Sequence, residues 1–172
     1  LKKSWYAGET LMTGIGQGYL LCTPLQLAIM TARIASNGKK ILPKIYSKKD
    51  NQELKKILLE KKHLEIIKES MFKVVNKQMG TAYKSRSNQI NFSGKTGTSQ
   101  VKKITLEERE SEDFRKKEKE WKDKDHSLFV GYMPSEKPKY ALSIVVEHGG
   151  SGSAVSAPIA KRIFNFIHKE KI

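Results

Sequence analysis

The chain has 172 residues, of which 38% are hydrophobic, and it carries a formal net charge of +15. These values fit one globular domain and exclude collagen-like and wholly disordered chains. A single cysteine, Cys22, excludes an internal disulfide and a cysteine-rich metal site. Glycines and a proline interrupt the uncharged residues 10–32, so we do not interpret them as a membrane-spanning helix. No signal peptide opens the chain at Leu1, which we therefore expect to lie inside a longer protein.

The positive charge comes mainly from lysine, and residues 39–62 are the most basic stretch. A basic surface suits anionic partners such as nucleic acid or acidic lipid headgroups. However, arginine, which base-edge and bidentate phosphate contacts favour, occurs at only five positions: Arg33, Arg86, Arg109, Arg115 and Arg162. We therefore interpret the charge as lysine bias, and nucleic acid is the disfavoured partner. A basic nucleic-acid-binding module remains an alternative function.

The first element that the sequence predicts clearly is a helix beginning at Thr23. Residues 23–26 read Thr-Pro-Leu-Gln, a capping box with proline at the first helical position. The residues that follow, up to Ala35, leave almost no polar face and predict a buried helix, which Asn37 and Gly38 would end. Upstream, residues 14–18 read Gly-Ile-Gly-Gln-Gly, which indicates a loop with positive φ angles or a close backbone approach beside a site.

The remaining elements predict an α+β order. Apolar residues from Leu64 to Val75 recur at helical spacing, and Gly80 ends the pattern. Residues 92–101, 127–133 and 140–147 read as strands, with residues 134–138 as a hairpin connection. An amphipathic helix around residues 159–167 closes the chain. Residues 102–125 are densely charged, and Leu106, Phe114 and Trp121 at about two-turn intervals suggest a helical flap.

Residues 93–99, Ser-Gly-Lys-Thr-Gly-Thr-Ser, carry the strongest chemical signal. In a strand, Thr96 and Thr98 share one face and Lys95 lies on the other. Two hydroxyls beside a lysine suit a substrate carboxylate, Gly97 permits close approach of a ligand backbone, and an edge-strand N–H could stabilise an oxyanion. A bare Lys-Thr-Gly tripeptide is nevertheless common by chance.

Several motifs occur together with this one and in a fixed order. They are Gly-Ile-Gly-Gln-Gly at residues 14–18, Thr-Pro-Leu-Gln-Leu-Ala at 23–28, Gly-Thr-Ala at 80–82, Gly-Lys-Thr-Gly-Thr-Ser-Gln at 94–100, and the turn at 147–152 followed by Ala-Pro-Ile-Ala-Lys at 157–161. Together they resemble the transpeptidase domain of penicillin-binding proteins, and the form of residues 14–18 is most similar to the elongation-type class B members. The Lys-Thr-Gly element belongs to this serine acyl-transferase superfamily.

The resemblance implies a fold, a reaction and a set of residue roles. The fold is a five-stranded antiparallel sheet flanked by helices, of which residues 1–172 would supply the last three strands as the C-terminal portion of the domain. The reaction is peptidoglycan cross-linking through a serine acyl-enzyme, which β-lactams trap. Lys95 would supply positive charge, Thr96, Gly97 and Thr98 would bind the donor peptide, and the Thr98 backbone N–H would form half of the oxyanion hole.

The attacking serine is not expected in this chain. The family places Ser-x-x-Lys and Ser-x-Asn or Ser-x-Asp before the glycine loop. The chain's own matches, Ser36/Lys39, Ser70/Lys73, Ser99/Lys102 and the segment 111–113, are all in the wrong order, and we interpret them as chance matches. The isolated chain is therefore predicted to be inactive.

Other reactive side chains give weaker signals. His63, His126, His148 and His168 lack metal-ligand spacing, although His148 precedes two glycines and could rim the cleft. Trp5, Tyr6 and Trp121 are predicted to be packing residues, and Cys22 a small buried hydrophobe. The resemblance implies no metal and no organic cofactor.

The resemblance also implies partners and a location. The partners would be peptidoglycan stem peptides, β-lactam antibiotics and membrane proteins of the elongation complex, including a glycan polymerase. The parent protein would be anchored in the inner membrane with this domain in the periplasm. A second copy could cover surfaces that the chain leaves open, giving a homodimer. A β-lactamase or D,D-carboxypeptidase is the alternative enzyme, but the motifs at residues 14–18 and 23–28 disfavour it.

Overall fold

The computed structural model describes residues 4–18, 20–46, 55–101 and 120–170. Three antiparallel strands form one sheet in the order β1 (Ser93–Ser99), β2 (His126–Met133) and β3 (Tyr140–Val146). The register pairs Lys95 with Val130 and Leu142 with Gly131. The predicted strands are confirmed, and β1 lies at one edge of the sheet.

Within the described ranges, four α-helices accompany the sheet: α1 (Ala7–Gly14), α2 (Pro24–Ala35), α3 (Lys61–Asn76) and α4 (Ser156–Lys169). Short 3-10 turns cover Tyr83–Ser85 and Trp121–Asp123. Helices before the strands and one after them confirm the α+β order. In the part of the chain that the structure describes, no helix is both long and apolar enough to cross a membrane.

The capping box predicted for α2 is present. The Thr23 hydroxyl accepts from the Gln26 N–H at 3.2 Å, and the Thr23 N–H donates to Gln26 Oε1 at 2.8 Å. Asn37 and Gly38 follow the helix with φ angles of 58° and 81°, which confirms the predicted left-handed ending.

The prediction that α2 is buried is wrong. Only Thr31 and Ala35 are buried, whereas Leu25 is 60% and Met30 45% exposed. The reason is that α2 packs on β2, β3 and α3 with one side only. Cys22, predicted to be buried, is exposed as well, because it lies in residues 20–26, which are exposed throughout.

The main core lies between α3, α4 and one face of the sheet. Phe92, Phe129 and Phe164 are all fully buried there. The Phe92 ring centroid lies 5.1 Å from that of Phe164 and 6.3 Å from that of Phe129. These contacts fix β1 and β2 against α4, since aromatic rings at such spacing contribute packing beyond their buried area.

A second core covers the opposite face of the sheet. Tyr132 on β2 packs with Ala35 of α2 and Met71 of α3. Because α3 contributes Met71 here and Val75 to the main core, it packs along β1 and reaches both layers. The sheet therefore has a covered layer on each side.

The Phe129 ring fills the space above two glycines. Gly94 of β1 and Gly131 of β2 are register partners, and an added Cβ at either would meet Phe129 Cε1 at 2.7 Å. Only glycine fits at these positions without moving the ring, and the close packing holds β1 flat against β2 immediately before Lys95.

Most of the predicted charged flap lies outside the described residues, including Leu106 and Phe114. Its last residues form the 3-10 turn Trp121–Asp123. The assignment of residues 1–172 to one domain portion stays a prediction.

Candidate active site

The Lys95-Thr96-Gly97-Thr98 motif occupies the second half of β1. Ser93 and Gly94 are buried, Thr96 and Gly97 are half-buried, and Lys95 and Thr98 are exposed. The strand therefore enters from the core and ends at the surface, so that its polar side chains are accessible at the edge of the sheet.

The Lys95 side chain turns back along its own strand. Its Nζ donates to the Thr96 carbonyl oxygen at 2.6 Å. The ammonium thus lies against the backbone of the same motif that carries the two threonines. The positive charge and the hydroxyls therefore lie within one strand segment, and both kinds of group can bind an anion.

Thr96 is linked to a second predicted motif. Its Oγ1 lies 2.8 Å from Thr81 Oγ1, so the Gly-Thr-Ala segment at residues 80–82 contacts β1 directly. Neither composition nor spacing pointed to this pair. The structure forms it because the chain reverses after α3 and returns beside that helix.

The reversal after α3 depends on Gly80. An added Cβ there would lie 2.2 Å from the Val74 carbonyl oxygen, and the Ala82 N–H donates to the same oxygen at 3.0 Å. Asn76 completes the connection, since its Nδ2 donates to the Phe92 carbonyl at 2.9 Å. These contacts place Thr81 beside β1.

The loop between β3 and α4, residues 147–155, covers the backbone of β1 at Gly97. An added Cβ at Gly152 would lie 2.3 Å from the Gly97 carbonyl oxygen and 3.0 Å from the Gly97 nitrogen. The two glycines meet backbone to backbone. The predicted approach of a ligand backbone at Gly97 stays a prediction.

Two histidines meet near the end of β1. His126 is the register partner of Ser99, and its Nδ1 accepts from the His148 N–H at 2.9 Å. The His148 ring lies 4.8 Å from the His126 ring and 4.5 Å from the Trp121 ring, and His148 has a φ angle of 54°. No pattern in the sequence indicated this pair, because only the β2–β3 register brings the two residues together.

No metal centre arises from these side chains. Among the residues that the structure describes, no group of three or more His, Cys, Asp and Glu could hold a metal ion.

Trp121, predicted to be a packing residue, contacts His148 but is 67% exposed. Trp5 and Tyr6 are 64% and 62% exposed, so their predicted packing role is wrong.

The glycine loop at residues 14–18 is exposed throughout. Gly16 and Gly18 have φ angles of 79° and 97°, which confirms the predicted positive φ. An added Cβ at Gly14 or Gly16 would meet no atom within 4 Å. The structure therefore does not bring this loop into the packed layers that hold β1.

The described Ser-x-x-Lys matches do not form reactive pairs. Ser70 lies on the exposed side of α3, where Lys73 pairs with Glu69 at 2.6 Å. The Ser36 hydroxyl donates to the Arg33 carbonyl at the end of α2. The match at Ser99 and the segment 111–113 extend into residues outside the described part.

Comparison with known proteins agrees with this geometry. Residues 1–165 match the family model for the penicillin-binding protein transpeptidase domain, and the chain therefore belongs to this family. Within the family, the similarity is to penicillin-binding protein 2. The Helicobacter pylori protein of that name, solved in complex with MreC, is 35% identical with a TM-score of 0.77, and the match covers 97% of this chain and 28% of that chain.

Two further relatives support the same type. The Pseudomonas aeruginosa penicillin-binding protein 2 in complex with WCK 5153 is 33% identical with a TM-score of 0.72, over 95% of this chain and 34% of that one. The peptidoglycan D,D-transpeptidase MrdA of Acinetobacter baumannii is 34% identical over 96% of this chain and 25% of that protein. The chain thus spans about a quarter to a third of the length of these relatives, and the resemblance to elongation-type members is confirmed.

Proposed function

We propose that the chain is part of a peptidoglycan D,D-transpeptidase and carries the strand that binds the donor peptide. The observation that carries this proposal is the Lys95-Thr96-Gly97-Thr98 segment at the edge of the sheet, where Lys95 and Thr98 are exposed, in a chain whose residues 1–165 match the transpeptidase family model. The MrdA relatives, named peptidoglycan D,D-transpeptidases, support the reaction class.

The proposed reaction is acyl transfer by a serine that precedes this chain. Its hydroxyl adds to the carbonyl of the D-Ala-D-Ala bond of a stem peptide, and the C–N bond then breaks and releases D-Ala as the amine. The amine of a second stem attacks the resulting ester, forms the cross-link and returns the hydroxyl to the serine. A β-lactam enters the same first step and remains bound as an ester.

The residues of β1 would act on the donor in three ways. The hydroxyls of Thr96 and Thr98 bind its terminal carboxylate, and the Lys95 ammonium provides the opposite charge. The Thr98 backbone N–H donates to the oxygen that becomes negative in the tetrahedral intermediate, together with the N–H of the serine. Gly97, which has no side chain, lets the peptide backbone approach the strand on the side that the β3–α4 loop leaves uncovered.

Partners and location are proposed from the relatives. The Helicobacter pylori protein forms a complex with MreC, and this supports a comparable cell-shape partner for the protein that contains this chain. We extend the proposal to a glycan polymerase, to an anchor in the inner membrane and to a periplasmic position of this domain. Exposed apolar side chains such as Leu21 and Leu58 support a contact with the upstream part of the enzyme or with a second copy.

The test uses the complete enzyme that contains this chain and a fluorescent penicillin. We expect Lys95→Ala and Thr98→Val to lower the acylation rate by roughly 10- to 100-fold, since a hydrogen bond to a charged group contributes about 1.5–3 kcal/mol. Lys84→Ala, at an exposed lysine of the 3-10 turn, is the control and should acylate at the wild-type rate.

Wild-type acylation in both β1 variants would remove the proposed roles. Fast hydrolysis of the penicillin ester would instead favour a β-lactamase or carboxypeptidase. Tight DNA or RNA binding that falls steeply with salt would favour the nucleic-acid alternative.

A further inference from the structure

One buried hydroxyl connects the β3–α4 loop to β2. Ser127 is completely buried, and its Oγ donates to the Ser151 carbonyl oxygen at 3.1 Å. Ser127 Oγ also lies 2.7 Å from Ser156 Oγ and accepts from the Ser156 N–H at 3.1 Å. Since a serine hydroxyl has one proton, the Ser156 hydroxyl is the donor of the shared bond, and Ser127 Oγ uses its donor and both acceptor positions.

The loop is attached to β2 at further points. An added Cβ at Gly149 would meet Ser127 Cβ at 3.1 Å, and the Gly150 N–H donates to the Asp125 carbonyl oxygen at 2.8 Å. At the start of α4, the Ala157 N–H donates to the Gly152 carbonyl at 2.9 Å. The loop is therefore held on both sides of Gly152, the residue that packs on the backbone of Gly97.

Ser127 also lies on the neighbouring strand, directly opposite the residue proposed to donate to the oxyanion. Its register partner in β1 is Thr98, the residue that follows Gly97. Two sets of contacts thus connect Ser127 to the site. The first is the pairing of β2 with β1, in which Ser127 is the partner of Thr98. The second is the hydrogen bond to Ser151, whose neighbour Gly152 packs on Gly97.

We propose that Ser127 is a positioning residue of this transpeptidase: by holding the β3–α4 loop against Gly97, it fixes the direction of the Thr98 N–H. This inference rests on the proposed function, in which that N–H stabilises the oxyanion. A donor of this kind is effective only when its direction is set before the reaction, so a small rotation of the Gly97–Thr98 peptide slows acylation more than it weakens binding.

The experiment measures acylation of the complete enzyme by a β-lactam under single-turnover conditions. It separates the dissociation constant of the non-covalent complex from the acylation rate constant. For Ser127→Ala we expect the rate constant to fall about 10-fold or more, as for a misdirected oxyanion donor, with a change in the dissociation constant of less than about 3-fold. Gly152→Ala, which pushes the loop from Gly97, should act in the same way and serves if Ser127→Ala does not fold.

Ser93→Ala is the matched control. Ser93 is also completely buried and its hydroxyl contacts a second serine, Ser135, at 2.9 Å, but it lies at the opposite end of β1 from Thr98. We expect it to lower Tm to a similar extent and to leave the acylation rate constant within about 2-fold of wild type.

The outcomes separate the two proposals. Slow acylation in Ser127→Ala and Gly152→Ala, with near-normal acylation in Ser93→Ala, supports the positioning role. Wild-type acylation in Ser127→Ala, or equal loss in Ser127→Ala and Ser93→Ala, overturns it while Lys95→Ala and Thr98→Val remain slow. If these last two acylate normally, the proposed function itself fails.

Discussion

At the scale of single residues, the candidate site depends on a threonine pair that crosses between elements. Thr96 belongs to the strand motif, and Thr81 follows the end of α3, 15 residues earlier. Their 2.8 Å contact restricts the Thr96 side chain to one orientation. A hydroxyl that is already oriented loses less conformational entropy when it binds a carboxylate.

Replacing Thr81 tests this orientation. Thr81→Val keeps the shape of the side chain and removes its hydroxyl, so Thr96 loses its partner. We expect binding of a β-lactam before acylation to weaken by roughly 3- to 10-fold, the equivalent of about 1 kcal/mol. Thr13→Val in α1 is the control, and equal dissociation constants for the two variants would contradict the proposed orientation.

Tyr132 connects a single buried group to the pH dependence of stability. Burial raises the pKa of its phenol above the usual value of 10.0, although the hydrogen bond with Ser93 acts in the opposite direction. A raised pKa means that the unfolded chain releases this proton at lower pH than the folded protein. The stability that this pKa difference contributes to the folded protein is therefore fully present below about pH 10 and is lost as the pH rises above that value.

Tyr132→Phe removes this ionisation. We expect the free energy of unfolding of the wild-type chain to fall more steeply than that of the variant between about pH 9.5 and 11. Urea denaturation at several pH values measures it, with Tyr6→Phe as the control for loss of an exposed phenol. Parallel pH profiles for wild type and Tyr132→Phe would show that burial of Tyr132 does not affect this range.

At the scale of elements, β1 combines a tightly packed beginning with an accessible end. Gly94 lies under the Phe129 ring, with an added Cβ placed 2.1 Å from Phe129 Cζ, whereas an added Cβ at Gly97 would meet only Leu128 Cβ at 3.2 Å. Core packing therefore requires the first glycine, whereas a side chain at the second would meet a single close neighbour. The strand can expose Lys95 and Thr98 because its preceding residues are firmly packed.

The two glycines should therefore respond differently to the same substitution. Gly94→Ala forces the Phe129 ring out of its position, and we expect a loss of about 1–3 kcal/mol in the free energy of unfolding. Gly97→Ala should cost clearly less, because a shift of a few tenths of an ångström at Leu128 accommodates the methyl group. Equal losses in chemical denaturation would show that Phe129 does not hold this end of β1.

At the scale of the whole molecule, large apolar side chains are exposed on several elements. Leu21 is 91%, Leu58 103% and Met79 96% exposed. Soluble monomers seldom present so many large apolar groups without a partner surface. This exposure is consistent with a chain that spans only about 28% of the Helicobacter pylori relative.

The isolated chain should not react covalently with penicillin. Its Ser-x-x-Lys matches follow the glycine loop instead of preceding it. Ser36 and Ser70 lie at or in helices, where Lys73 pairs with Glu69 and the Ser36 hydroxyl donates to the Arg33 carbonyl, and Ser99 is the last residue of β1. We expect no fluorescent band after incubation with a labelled penicillin and denaturing electrophoresis, with a complete penicillin-binding protein 2 as the positive control. A band that survives denaturation would contradict this, and Ser36→Ala, Ser70→Ala and Ser99→Ala would identify its origin.

Local patterns in the sequence were sufficient for the other described helices and the three strands, but they did not predict α1. Residues close together in sequence determine the capping box before α2, the ending at Asn37 and Gly38, the three strands and the closing helix. Side chains on one face recur every 3.6 residues in a helix and every 2 residues in a strand. The Lys95-Thr96-Gly97-Thr98 strand was predicted for the same reason. The ordered series of short motifs was enough to indicate the family.

Only the tertiary structure decided which of these residues meet. The contacts of Thr81 with Thr96, of His126 with His148 and of Ser127 with Ser156 join residues from 15 to 29 positions apart, and no local pattern encodes them. Burial of α2 and Cys22 was mispredicted for a related reason: an apolar pattern states which side chains can be buried, whereas the neighbouring elements determine which ones are. Packing of distant segments, not propensity, therefore sets the environment of the site.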